Sequence, residues 1–562
     1  MSKASRVLLS GLLAIAAFTA LAEDAPVTPS QKNAGNAITS ELLRSHIRFL
    51  ASDLLEGRGP ATRGDQLAEA YIQAQLEGLG LEPGAPGGGW IQKVPLVGIR
   101  RTSWEPAIFM SGRGALRGKL GENFVAVSGV QKPESKIDAA EVVFVGYGIV
   151  APEYRWDDYK DADLKGKVLL VMNNDPEGSA KEPGLFAGKT RLWYGRWDYK
   201  YLMAARKGAA GAIVIHTTPS AGYGWQVIQT SWAGEQFELP DDGAPRVAAK
   251  MWATEELAKR IVELGGKDLD SLRASAEDRS FRPVPLGVTM SLALTNAIGQ
   301  KESGNVIGVL PGSDPKRAGQ AVIYTAHHDH LGIRVGARPG ADAIFNGALD
   351  NASGVAAILS VAKAFASLGA APARSTYFAF VAGEEQGLLG SEFLAKHPPV
   401  PAGRIAVDIN IDGIGWYGKT RDVVLIGLGK SSLDGDVKAV AKMQGRRVEG
   451  DQFPDRGTFY RSDQFSFARV GVPSAYVTKG TDVIGKAAGF GREQEEIYEK
   501  ADYHQPSDEL RETWDFTGAV EDVRLAFWLG CRVADAPELP QWNEGDEFEA
   551  ARLKAVSEAG GR

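Results

Sequence analysis

A mixed, largely parallel β-sheet with helices on both faces, carrying an inserted β-rich α/β unit, is the fold that this 562-residue sequence predicts. Three observations lead there. From Asn305 onward, apolar strand-like runs alternate with helical ones, the pattern of parallel strands joined by crossover helices. Around Val142 the texture changes to short, wholly apolar strands set between glycines, marking a second unit. The length allows three or four domains at about 100–200 residues each.

Composition narrows the function classes. The chain holds 63 Lys and Arg against 70 Asp and Glu, a formal charge of −7. A protein that binds nucleic acid by neutralising phosphates is ordinarily basic, so no nucleic-acid partner is expected. A single cysteine, Cys531, excludes an intrachain disulfide and a multi-cysteine metal site. A metal would be held by His, Asp and Glu.

In chain order, Lys3 and Arg6 precede the apolar run Val7 to Phe18, and Ala20-Leu21-Ala22 stands before Glu23-Asp24. This is the three-part pattern of a secretory leader over 1–22, too short to span a bilayer. An exported protein, periplasmic or secreted, with no stable membrane insertion after leader cleavage, is the expectation. Leu42, Leu43, His46, Ile47, Leu50 and Leu54 sit at helical spacing behind Thr39 or Ser40 as N-cap, and Gly57-Arg58-Gly59-Pro60 ends that helix. A second helix runs from about Gly64 to Gly78, followed by a glycine-rich loop and short strands over about 91–130. Val142–Val145, Lys167–Val171 and Gly211–Ile215 read as buried strands of the second unit, which closes by about 290. Beyond it come strands at 305–310, 321–326, 375–382, 404–411, 421–427 and 473–478, and helices at about 352–368, 386–396, 431–443 and 516–533. The charged tail from 534 reads as a solvated helix or frayed end.

Three of the seven histidines fall in His327-His328-Asp329-His330, directly after a predicted strand. Sites in doubly wound sheets form where carboxyl ends of strands open into loops, and imidazole with carboxylate is a zinc-type donor set. Gly347-Ala348-Leu349-Asp350-Asn351-Ala352-Ser353-Gly354 enters a helix, and alone would be no more than an N-cap. Glu384-Glu385 follows the next strand, Asp412 the one after, and His504 stands in a proline-containing loop. Two zinc ions carry +4, while Asp350, Glu385, Asp412 and one hydroxide carry −4. Such a cluster activates water, and Glu384 is left over to take the proton. Spacing alone does not exclude His328 and His330 as ligands.

These motifs, in this order, resemble peptidase family M28. The matching stretches are His327–Gly332, Gly347–Gly354, Glu384–Ser391, Asn410–Asp412 and His504–Asp508, with Leu54–Arg58 and Leu79–Leu81 nearer the N-terminus. The resemblance implies two Zn2+ per chain bridged by Asp350 and a water or hydroxide. His327 and Asp412 would complete one site, Glu385 and His504 the other, and the Asp350–Asn351 bond would be cis. It implies Glu384 as general base and then acid, and Asp329 as the carboxylate that orients the His327 ring. Tyr460 is a candidate oxyanion donor and Asp463 a candidate substrate-side residue, although Gln464 stands where the family often has His. Residues 118–290 resemble a protease-associated (PA) domain, whose LWYGRWDYKY stretch (192–201) could line the cleft or form core. The expected layout is therefore a leader at 1–22, the peptidase domain in two parts at 23–117 and 291–535 around the insertion, and a tail at 536–562. The activity implied is aminopeptidase on peptide substrates. The alternatives are a carboxypeptidase, a glutaminyl cyclase and a non-catalytic receptor-like ectodomain.

Overall fold

The computed structural model describes residues 27–560; the expected leader lies outside them. Helix α1 (Ser40–Leu50) starts at an N-cap in which Thr39 Oγ1 accepts the Leu42 N–H, and α2 (Arg63–Gly78) follows. The N-terminal half of the chain then supplies β1 (Ile91–Ser111), β2 (Glu134–Phe144), β3 (Val168–Met172), β4 (Gly211–His216), α3 (Trp225–Ser231) and β5 (Ala249–Thr254). Next come β6 (Val284–Leu310), β7 (Ala321–His327), α4 (Ser353–Ala366), β8 (Ser375–Val381), β9 (Ile405–Asn410), β10 (Asp422–Ile426) and β11 (Ser474–Lys479). Helices α5 (Phe490–Ala501), α6 (Thr517–Asp535) and α7 (Glu549–Glu558) complete the chain.

One 16-stranded sheet runs through the whole molecule, with core order β10-β11-β9-β7-β8-β6-β2-β3-β4-β5. Within the C-terminal half, β7 lies parallel to both β8 and β9, and β9 parallel to β11. Every residue of β7 and β9 is buried, as parallel strands covered on both faces require. The period of two is visible in β7. Val322, Tyr324 and Ala326 pack into the cluster built with α1, α4 and α6, while Ala321 and Ile323 join Leu394 and Phe467 on the opposite face.

The inserted unit has its own core, from Ala107 to Leu294, around the parallel strands β2, β3, β4 and β5. The boundary is less sharp than the sequence reading places it. Instead of short strands over 91–130, β1 is a single 21-residue strand, and the expected 305–310 strand is the end of the 27-residue β6. These two pair antiparallel along nearly their full length, so the units share strands rather than meet at a linker. The tail also differs from expectation. Trp542, Phe548 and Arg552 are buried, with Trp542 and Phe548 packed on Phe459, Tyr460 and Phe465, and the Arg552 guanidinium donates to Ile405 O at 3.0 Å. It belongs to the fold because two aromatics and a buried arginine anchor it. Among the described residues no helix is long and apolar enough to cross a membrane.

Candidate metal centre

The candidate ligands come from loops at the carboxyl ends of β7, β8 and β9, from the turn leading into α4, and from the loop after α5. His327 is the last residue of β7. The turn before α4 is shaped by Gly347 at φ +54, where a Cβ would stand 2.2 Å from Asp350 O and 2.7 Å from the His330 ring. Only glycine fits there. The Asp350–Asn351 peptide is cis. The Asp508 carboxylate holds this turn by accepting the N–H groups of Leu349 and Asp350 at 3.1 Å each. Arg58, buried behind it, donates to four carbonyls: Leu50 O at 2.5 Å, Asn346 O at 2.7 Å, His328 O at 2.8 Å and Gly347 O at 3.0 Å.

All five candidate ligands converge. His327 Nε2 lies 3.2 Å from Asp350 Oδ1 and 3.5 Å from Asp412 Oδ1. His504 Nε2 lies 3.2 Å from Asp350 Oδ2 and 3.0 Å from Glu385 Oε2. The two oxygens of Asp350 therefore each face a different imidazole, the disposition of a carboxylate shared between two cations. His327 Nδ1 donates to Asp329 O at 3.2 Å, which fixes the tautomer and leaves Nε2 with a lone pair aimed at two carboxylates. His327 Nε2 is buried without a hydrogen-bond partner while facing two carboxylates, an arrangement suited to a cation. Zinc accepts this imidazole and carboxylate set.

Electrostatics follow from burial and from this excess of carboxylates. Burial, with repulsion from Glu385 and Asp412, pushes the Glu384 carboxyl well above the usual range. Glu385 is held at about 2 despite burial because His504 and His330 face it. Burial opposes protonation of His504, but Glu385 and Asp350 outweigh it and raise the ring to about 10. A cation placed here would stand where those protons now balance the charge.

The remaining predicted residues fall into three groups. Glu384 lines the cleft beside Asp350 and Asp412. Asp329 acts differently from the sequence reading: its backbone carbonyl, not its carboxylate, accepts the His327 bond. The carboxylate stands 3.7 Å from Nδ1 and accepts instead the Glu384 and Glu385 N–H groups at 3.1 and 3.4 Å. Tyr460 and Asp463 are corrections. The Tyr460 hydroxyl is committed to Glu547 at 2.6 Å, so it is not free for an oxyanion. Asp463 is wholly buried and lines neither lobe of the cleft, so it does not stand on the substrate side.

Four residues carry structural parts that the sequence did not reveal. His330, next to the ligand cluster, bonds Glu385 Oε1 through Nδ1 at 2.6 Å. Arg58 and Asp508 clamp the ligand loops, and neither shows a signal beyond lying inside a matched stretch. Ser231 Oγ sits 3.0 Å from His504 Nδ1. A separate group, Asp65, Glu69 and His328, is a buried ion-pair cluster. There His328 Nε2 donates to Gly304 O at 3.0 Å, and Asp65, 3.3 Å away, raises its ring to about 9 against burial.

The cleft has two lobes meeting at Glu384. One is walled by Val424, Ile426, Phe453 and Tyr476. The other lies against the inserted unit, lined by Arg196, Asp198, Tyr223 and Trp232. The 192–201 stretch thus serves both expected purposes, since Tyr199 and Tyr201 are buried in the inserted core.

Residues 305–528 match the model of peptidase family M28. A probable leucine aminopeptidase of Trichophyton verrucosum (strain HKI 0517) is 28% identical over 205 residues, 35% of this chain and 52% of that protein. A probable zinc metalloprotease of Pyricularia oryzae is 35% identical over 150 residues, 26% of each chain. The matches thus span about half of the first relative's length and a quarter of the second's. Among solved structures, an aminopeptidase from Aneurinibacillus sp. strain AM-1 shares the fold, with a TM-score of 0.51 and 18% identity over 89% of this chain and 96% of that one.

Proposed function

We propose, from the match of residues 305–528 to the model of peptidase family M28, that the chain is a zinc-dependent aminopeptidase that removes N-terminal residues from peptides. The observation that carries the reading is the shared carboxylate: Asp350 presents one oxygen to His327 and the other to His504, each at 3.2 Å, with Asp412 and Glu385 flanking. His327, Asp350 and Asp412 would hold one zinc ion, and Asp350, Glu385 and His504 the second. Zinc bound there supplies Lewis acidity toward a peptide carbonyl and toward water.

The chain's own residues do the rest. Glu384 takes the proton of the attacking water and returns it to the leaving amine, so one carboxylate serves as base and then acid. Asp329 fixes the backbone of Glu384 and Glu385 through its two accepted N–H bonds, and so sets the aim of both side chains. A carboxypeptidase would need a cation free for the terminal carboxylate, and in the lobe walled by Val424 and Phe453 the cations have partners, whereas Arg196 in the other lobe stands 4.0 Å from Asp198. Lys479 faces Glu495 at 3.3 Å, Arg456 faces Glu499 at 3.6 Å, and Arg461 donates to the Tyr503 hydroxyl at 2.9 Å. The full ligand set and the base argue against a glutaminyl cyclase and a receptor-like ectodomain. The reading extends to export, supported by the leader pattern of residues 1–22, and to residues 118–290 as a PA-type insertion, supported by their separate core.

The test compares a free-amine peptide panel with the same panel N-acetylated, using zinc-loaded protein with and without a chelator. Chelator-sensitive cleavage confined to the free-amine peptides is expected. Cleavage of the acetylated set would overturn the aminopeptidase reading in favour of a carboxypeptidase or endopeptidase.

A further inference from the structure

A histidine that binds a metal through one ring nitrogen needs a partner for the other, and that partner fixes the tautomer and the ring's aim. For His327 the partner is local, the carbonyl of Asp329 two residues on. His504 is different. It stands at φ +55 in the short loop after α5, with Tyr503 stacked on its ring at 3.9 Å between centroids. Its Nδ1 is 3.0 Å from Ser231 Oγ, a residue 273 positions away at the C-terminal end of α3 in the inserted unit. With Nε2 facing Asp350 and Glu385, Nδ1 carries the proton and the Ser231 hydroxyl accepts it.

A second bond ties the same segment to the same side of the centre. Six residues beyond Ser231, the Phe237 N–H donates to the Gln386 side-chain oxygen at 3.1 Å, and Gln386 directly follows the Glu384-Glu385 pair. Residues 236–238 are held in register by antiparallel pairing with β1 at Val97–Ile99. The Gln236 side chain closes the turn by donating to Ser231 O at 3.3 Å. The 225–238 segment therefore touches two of the loops that build the centre, and does so from a unit with a separate core.

We infer that Ser231 is a positioning residue for His504, so that the inserted unit completes the metal centre instead of only covering the cleft. The inference rests on the reading of His504 as a zinc ligand. Outer partners of metal-bound histidines are worth about 10- to 100-fold in metal affinity. Loss of the hydroxyl should therefore weaken the ion held by His504, Glu385 and Asp350 by about tenfold or more, and leave the His327 site close to its original affinity.

The experiment is competition for zinc between a chromogenic chelator and apo full-length protein, resolving two dissociation constants for wild type, Ser231→Ala, Ser231→Thr, Ser231→Val and His504→Ala. The expected result is that Ala and Val raise one constant by about tenfold or more, while Thr keeps the wild-type value. Thr and Val are nearly the same shape, so their contrast reads the hydroxyl alone and stands even if Ala loosens the local packing. His504→Ala should lose one equivalent of zinc. If His504→Ala binds both equivalents like wild type, the ligand assignment itself fails. If His504→Ala loses one equivalent but Val and Thr bind zinc alike, the positioning role of Ser231 is overturned and the assignment stands.

Discussion

Replacing Arg58 with methionine tests whether the ligand loops are held by the arrangement described. The Arg58 side chain is 1% exposed and donates to carbonyls from three separate segments: the end of α1, the loop after β7, and the turn before Asp350. Burial lowers its guanidinium to about 10, with Asp329 and Asp508 the nearest opposing charges, so it stays cationic at neutral pH. Methionine fills much of the same space but offers no donor, so four buried carbonyls lose a charged partner. At about 1–1.5 kcal/mol net for each bond the loss sums to about 4–6 kcal/mol, a large part of the stability of an ordinary domain. Urea unfolding of the apo protein, followed by tryptophan fluorescence, measures it. Arg58→Lys should recover less than half of the loss, because an ammonium cannot reproduce the guanidinium fork. A methionine variant within about 1 kcal/mol of wild type would refute the reasoning, since it would mean that water satisfies those carbonyls equally well.

Two further outcomes follow from burial. His46, bonded to the Tyr71 hydroxyl at 2.8 Å, is lowered from 6.5 to about 4 by burial and by the charge of Lys363. The unfolded chain therefore binds its proton near pH 6.5 and the folded protein only near pH 4. Between those values the unfolded state holds more protons, so stability falls as pH falls, by up to about 3 kcal/mol from this group. His46→Gln should lack that component, and equal pH slopes for variant and wild type in urea titrations between pH 7 and 4 would count against it. Trp542→Ala, which removes a buried ring packed on Phe459 and Phe548, should cost about 3–5 kcal/mol by the same assay, whereas a frayed tail would cost nothing measurable.

Much of the site was legible because its chemistry is concentrated in short stretches at strand ends. Strands β7, β8 and β9 are largely apolar runs of ordinary strand length; His327 ends the first, and Glu384-Glu385 and Asp412 stand in the loops just past the other two. What could not be read were interactions set by distant packing. The Asp329 carboxylate points to the Glu384 and Glu385 amides rather than to the His327 ring, a choice made by the relative height of two loops. Tyr460 is turned to Glu547 by the tail, which carries too few apolar residues to announce that it packs. The span of β1 was hidden because exposed polar residues such as Arg100 and Thr102 interrupt its apolar pattern, while its pairing partner β6 lies nearly two hundred residues away.

In the proposed centre five side chains hold two zinc ions while Glu384, holding none, moves the proton. Zinc content and peptide hydrolysis of Glu384→Gln beside wild type test it most directly. Two zinc ions per chain are expected in both proteins, with kcat in the variant reduced by about 10²–10⁴-fold. A variant that hydrolyses peptide like wild type, or a wild-type protein that gives full activity with no zinc bound, would contradict it.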